Sequence, residues 1–148
     1  MVEPTLVLSD VADDEAREIV HEGLAGHAVE QVGYWDARPL NVLARDPSDG
    51  RTLGGMIGRT SLGLMFIELV FLPRELRNRG LGARMLRMAE EEAVRRGCRA
   101  GVLYTISFQT HAFYGRHGWR EFGRVPCHPA GTSRIFMTKD LSGENEGE

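Results

Sequence analysis

Leu64-Met65-Phe66-Ile67-Glu68-Leu69-Val70-Phe71-Leu72, followed after four residues by Arg77-Asn78-Arg79-Gly80-Leu81-Gly82, decides the fold. The first stretch is an apolar run of strand length, and the strand prediction covers Met65 to Leu72. The second is a basic, glycine-bearing turn that leads directly into an amphipathic pattern from Leu81 to about Arg96. A strand, such a turn and a helix start together make an anion site. The first turn of a helix has unpaired backbone N–H groups and the positive end of the helix dipole. Glycines let a phosphate approach that backbone, and arginines add charge. A phosphorylated ligand is expected to dock here.

Working outward, Leu81, Met85, Leu86, Ala89 and Ala93 form the apolar face of the predicted helix. Arg87–Glu91, Glu91–Arg95 and Glu92–Arg96 stand at i,i+4 spacing on its wet face, and Gly97 terminates it. Towards the N-terminus, Thr5 to Leu8 reads as a short strand. Asp10 to about Ala28 reads as a helix with a stripe of Ala16, Ile19, Val20 and Leu24, weakened at its end by Gly23 and Gly26. Gln31 to Pro39 is irregular. Asn41–Arg45 and Leu53–Arg59 make a hairpin around Asp46-Pro47-Ser48-Asp49-Gly50, and Ser61-Leu62-Gly63 is a second turn. Gly54, Gly55 and Gly58 permit close backbone approach within the return strand. Towards the C-terminus follow a strand Ala100–Ile106, a short helix Gln109–His117, and strands Trp119–Val125 and Ser133–Thr138. This order predicts an α/β (α+β) fold. Its mixed, mostly antiparallel sheet of six or seven strands would be flanked by three or four helices, with one parallel crossover through the Leu81 helix. The reading gives one domain over residues 1–141 and an acidic, frayed tail over 142–148.

Composition fits a globular chain: 148 residues, 42% hydrophobic, 26% charged, net charge −3. No global basic field recruits nucleic acid, and no apolar run reaches the length of a membrane span. Met1-Val2-Glu3-Pro4 lacks the features of a signal peptide, and Cys98 and Cys127 lack metal or redox spacing, so a reducing cytoplasm is expected. Cys127-His128 without further partners falls short of a metal site. Arginine supplies nearly all the positive charge; Lys139 is the only lysine.

A second motif, Phe113-Tyr114-Gly115-Arg116-His117-Gly118-Trp119, lies one strand after the basic turn. With Arg77-x-x-Gly80-x-Gly82 it resembles the GNAT superfamily of acetyl-CoA-dependent N-acyltransferases. The turn resembles that family's pyrophosphate loop, and the second motif its F/L-Y-x-x-x-G-aromatic signature. The resemblance covers nearly the whole chain except the acidic tail, and implies acetyl-CoA as co-substrate, no metal and, in many relatives, a homodimer. It implies that the backbone of Arg79 to Ala83 holds the pyrophosphate, with Arg77, Asn78, Arg79, Gly80, Leu81, Gly82 and Ala83 as the cradle. It also implies that Phe71 and Leu72 pair with the pantetheine amides. Ser107 stands where the family often has an asparagine near the pantetheine arm, with Gln109 two residues on.

Tyr114 matches the family's general acid; a phenol beside the departing thiolate can donate a proton. The competing reading is a packed tyrosine with a bonded hydroxyl. Glu68 interrupts an apolar strand, so its carboxylate lies either in a cleft, as base or cation ligand, or in an ion pair on the other face. Tyr34, Trp35 and Asp36 could hold a cationic amine by cation–π and charge contacts, or form a surface loop. His111 stands beside the tyrosine motif as a possible proton relay or an incidental histidine. Three functions follow. The first is N-acetyl transfer to a primary amine by direct attack, the acceptor being a small metabolite or antibiotic, or alternatively a protein or peptide. The second is an acetyl-CoA sensor without turnover. The third, a nucleotide binder, lacks its expected loop motifs.

Overall fold

Asp13 starts the first helix. Its Oδ1 accepts the Ala16 N–H at 2.9 Å, and Asp14 and Glu15 follow in the first turn. The helix, α1, spans Asp14–Val32 and ends at Gly33, whose φ of 91° lets its N–H bond to the Val29 carbonyl at 2.9 Å. The computed structural model describes residues 2–107 and 111–143, and the chain divides into two compact units, Met1–Trp35 and Asp36–Glu148. In the first unit the observed helix begins later and ends later than the predicted Asp10–Ala28. Gly23 and Gly26 each cost only about 1 kcal/mol against alanine, which two capped ends and the length of the helix can absorb. Thr5–Leu8 forms no strand. A four-residue apolar run is a strand only where a ladder partner exists, and the unit offers none among its described residues.

The second unit is a sheet with helices. Strands β1 (Arg38–Arg45), β2 (Thr52–Ser61) and β3 (Leu64–Phe71) come first, then helix α2 (Leu81–Arg95) and β4 (Ala100–Ile106). Helix α3 (His111–Arg116), β5 (Arg120–Pro126) and β6 (Ser133–Asp140) complete it. The predicted second strand starts earlier than Asn41, at Arg38, because Leu40 and Val42 alternate into the core. Among the described residues the sheet has six strands in the order β1-β2-β3-β4-β6-β5. Only the β3–β4 pair is parallel, as a strand–helix–strand crossover through α2 requires.

Turn chemistry sets the register. Leu62 (φ 47°) and Gly63 (φ 82°) form a two-residue hairpin between β2 and β3, both in the left-handed region that such turns need. Leu62 is held there by Asp36, whose Oδ1 accepts the Leu62 N–H at 2.8 Å. Gly58 is closely faced: a Cβ there would fall 2.5 Å from the Phe66 carbonyl oxygen. At the end of α2, Gly97 (φ 82°) donates to Val94 and Cys98 donates to Ala93, both at 2.9 Å, which closes the helix in a Schellman motif.

Four of the five residues predicted for the apolar face of α2 form the observed one, and Leu81 at the helix mouth is half-buried. Met85, Leu86, Ala89 and Ala93 are buried against Met56, Met65, Ile67, Leu103, Ile135 and Met137 of the sheet. Each large side chain buried there contributes about 1.5–3 kcal/mol. On the wet face Glu92 pairs with Arg96 at 2.8 Å, while Arg95 turns to Glu92 at 2.9 Å instead of to Glu91. Arg96 also donates to the Pro39 carbonyl at 2.9 Å and to Thr60 Oγ1 at 3.1 Å, tying the end of α2 to β1 and β2.

Candidate active site

The parallel ladder between β3 and β4 is short. It pairs Leu64–Ile67 with Ala100–Leu103 and stops there. Past that point β3 stays on β2 as far as Phe71, and β4 stays on β6 as far as Ile106. The two central strands therefore part, and the β4-facing edge of β3 from Glu68 to Phe71 carries backbone groups without a ladder partner among the described residues. Leu69, Val70 and Phe71 are exposed beside it. An open parallel edge of this kind can receive an extended amide-bearing ligand as a strand would be received.

At the same end of β3 lies the basic turn. A short 3-10 turn, Arg74–Leu76, leads to Asn78 (φ 62°) and Gly80 (φ 79°), both left-handed. Gly80 caps α2 without any side-chain hydrogen bond, and the first bond within the helix runs from Arg84 N–H to the Gly80 carbonyl. The N–H groups of Leu81, Gly82 and Ala83 therefore stand at the helix mouth without intrahelical acceptors. Arg77 braces the turn: its Nε donates to the Leu72 carbonyl at 2.8 Å, and its guanidinium lies 5.9 Å from the Phe71 ring centroid. Arg79 is exposed beside it.

The second motif meets the first. A methyl placed on Gly82 would contact the Phe113 ring at 3.5 Å, so α3 abuts the first turn of α2. Phe113 packs edge-on against Tyr114 at 5.2 Å, and Tyr114 packs against Trp119 at 6.1 Å. Tyr114 is 4% exposed, and burial pushes its phenol up to about 12. It is therefore a neutral proton donor throughout the physiological range.

Glu68 sits in a β-bulge. Ile57 pairs with Leu69 and Gly58 with Ile67, leaving Glu68 as the extra residue on β3. Its carboxylate is ion-paired with Arg59 on β2, and that guanidinium also lies 4.6 Å from the Phe66 ring centroid. This is the ion pair of the competing reading: the carboxylate engages β2, which flanks β3 on the side opposite the edge that parts from β4. Ser107 closes the β4–β6 ladder: its N–H donates to the Ser133 carbonyl at 2.9 Å and its Oγ accepts the Ser133 N–H at 3.0 Å. Gln109 lies outside the described residues. His111 begins α3 with a buried Nδ1 that has no hydrogen-bond partner among the described residues. Trp35 lines a groove in the first unit with Asp14, Arg17, Glu18, His21, Glu22 and Ala25 of α1, and Tyr34 is exposed. Asp36 is occupied at the hairpin described above.

The sequence matches the Acetyltransferase (GNAT) family over residues 11–119. This chain belongs to the GNAT acetyltransferase family. An acetyltransferase of Agrobacterium fabrum is 34% identical to this GNAT protein over 133 residues, covering 90% of this chain and 96% of the relative. A blasticidin-S acetyltransferase of Streptomyces morookaense is 30% identical over 117 residues, covering 77% of this chain and 86% of its own. A crystal structure from Agrobacterium tumefaciens, assigned to the acetyltransferases, superposes with a TM-score of 0.82 at 33% identity, covering 93% and 99% of the two chains.

Sequence reasoning missed three features of this GNAT site. The bulge at Glu68 depends on cross-strand register, and the Arg59 contact follows from it. A third is an ion pair between Glu90 and Lys139 that reaches the end of α3; its one visible signal was that Lys139 is the only lysine. Among the described residues no group of three or more His, Cys, Asp or Glu could hold a metal, and no helix is long and apolar enough to cross a membrane.

Proposed function

We propose that the protein transfers the acetyl group of acetyl-CoA to a primary amine by direct attack in a ternary complex. The observation that carries this reading is the coincidence of three features at one end of β3. These are the parted β3–β4 edge, the uncapped mouth of α2, and Tyr114 on the helix that abuts that mouth. The pyrophosphate of the donor lies on the N–H groups of Leu81 to Ala83, with Arg77 and Arg79 beside it. The pantetheine amides pair with the open edge at Phe71 and Leu72, with Ser107 towards the other strand, and the thioester reaches the gap between the strands.

The neutral amine nitrogen bonds to the acetyl carbon, giving a tetrahedral oxyanion, and the carbon–sulfur bond breaks as that intermediate collapses. Glu68, directly or through a water, takes the proton that the nitrogen must lose. Tyr114 gives its phenolic proton to the departing thiolate and regains one from solvent. A strand N–H stabilises the oxyanion between the two steps. The thiols are not needed as acyl carriers: Cys98 is buried, and burial raises its pKa. The acceptor is a small cationic amine of metabolite or antibiotic type. The similarity to a blasticidin-S acetyltransferase supports the antibiotic class, and Glu68, the first β3 residue past the parallel ladder, carries a charge that suits a cation. Tyr34, Trp35 and His111 are the further residues to test for acceptor contact.

The test is thiol release from acetyl-CoA with a panel of amines, peptides included, and mass detection of the product. Acetylation of a small amine, with turnover falling by about 10²-fold or more in Tyr114→Phe and acetyl-CoA affinity retained, is the expected result. Acetylation of peptides alone would move the acceptor class. Acetyl-CoA binding with no release for any amine would replace catalysis by sensing.

A further inference from the structure

Helix α3 has only six residues, so it cannot hold Tyr114 in place by its own hydrogen bonds. Its far end is fastened from two other elements. Lys139 on β6 donates from Nζ to the His117 carbonyl at 2.9 Å and to Glu90 Oε1 at 2.5 Å. Glu90 belongs to α2 and accepts the Trp119 indole N–H on its other oxygen at 3.2 Å. The N–H groups of Trp119 and His117 both donate to the Tyr114 carbonyl at 3.0 Å. The stem of Lys139 lies against Gly118, where a Cβ would come within 3.3 Å of Lys139 Cε. Gly118 has φ 90°, so the left-handed link between α3 and Trp119 and the lysine stem fit together.

We propose that Glu90 and Lys139 are positioning residues, a clasp that seats Tyr114 against the helix whose first turn cradles the donor. The proposal rests on the catalytic reading of Tyr114, but its decisive readout does not require turnover. Stability alone gives weak reason for the clasp. The side chains are 15% and 27% exposed, and an apolar pair of similar volume often holds a fold as well as a part-buried ion pair. What the charged pair adds is direction. The ammonium binds the carbonyl end of a short helix, where a cation is favoured, and the carboxylate fixes the indole. Glu90 stands ten residues beyond Gly80 on one helix, about 15 Å along its axis. The same rod therefore carries the donor cradle at its mouth and the clasp near its middle.

The experiment compares wild type with the double variant Glu90→Leu/Lys139→Met, which leaves no lone buried charge. Phenolate absorbance is titrated on each background with and without Tyr114→Phe, so that the difference reports Tyr114 alone. Burial, with no charged neighbour contributing, sets its midpoint near 12. In the double variant the midpoint is expected to fall by about one unit or more towards the solvent value near 10. Turnover is expected to fall about tenfold or more, with the KM for acetyl-CoA changed by less than about threefold. Lys139→Arg, which keeps a donor and the charge, is expected to restore most of both. A double variant with the wild-type midpoint and wild-type turnover would overturn the proposal and leave an ordinary ion pair. Should the double variant fail to fold, Glu90→Gln is read by the same two measurements and the same criteria. If Tyr114→Phe itself leaves turnover unchanged, the catalytic reading falls while the midpoint still decides the clasp.

Discussion

Raising the pH should weaken this protein through one buried phenol. Tyr114 has its pKa pushed up to about 12 by burial, whereas in the unfolded chain it titrates near 10. The sign follows from proton counting. Between these values the unfolded chain has released the phenolic proton and the folded chain still holds it, so unfolding releases a proton and is favoured by rising pH. At pH 10 the effect is only about 0.4 kcal/mol, and below about pH 9 the two states bind protons equally and it vanishes. At pH 11 the folded state should have lost about 1.4 kcal/mol from this group, and at pH 12 about 2.3, approaching a limit of about 2.7. Urea titrations of wild type and Tyr114→Phe at pH 8, 10 and 11 isolate the term, because Tyr34, Tyr104 and the two thiols are common to both. With a slope typical of a chain this size, the wild-type midpoint should fall relative to Tyr114→Phe by roughly 0.5–1 M urea between pH 8 and 11. Parallel pH dependences would refute the reasoning, since they would mean that Tyr114 is as solvated folded as unfolded. The same burial keeps the phenol protonated in the working range, which general-acid chemistry requires.

Two further perturbations probe how the site is supported. Gly101→Ala places a Cβ 2.6 Å from Trp119 Cη2 and 3.1 Å from Met65 Cε, both fully packed. It should cost about 1–3 kcal/mol by thermal unfolding and should lower turnover by displacing Trp119 from the end of α3. Arg96→Met keeps the apolar stem but removes the donors to Glu92, the Pro39 carbonyl and Thr60. A loss of about 2–3 kcal/mol is expected by denaturant titration, with acetyl-CoA affinity unchanged because the proposed donor cradle is at the opposite end of α2.

The parts of the fold that could be read from the sequence are those carried by local patterns. The α2 face from Leu81 to Ala93 repeats every three or four residues, Gly97 needs a left-handed φ, and Ala100–Ile106 is a strand at the stated bounds. The turn into α2 was readable because glycine at a helix start has a local physical meaning. What escaped the sequence depends on partners far along the chain. Thr5–Leu8 has strand composition but no ladder. Glu68 faces Arg59 because a bulge leaves it opposite no residue of β2, and an alternation pattern cannot show a bulge. Asp36 reads as an acceptor ligand beside two aromatics, and the sequence does not show that one of its carboxylate oxygens accepts from the Leu62 turn 26 residues away. Lys139 and Glu90 lie 49 residues apart and meet only because β6 runs beside α2 and α3.

The central claim is that CoA binds with its pyrophosphate on the first turn of α2 and its arm along the open edge of β3. Backbone amide shifts recorded during a titration with CoA test it most directly. The largest changes are predicted at Gly80 to Ala83 and at Phe71 and Leu72, with the amides of the β1–β2 hairpin little affected. Saturable binding with its largest shifts away from both segments, or no binding at millimolar CoA, would contradict it.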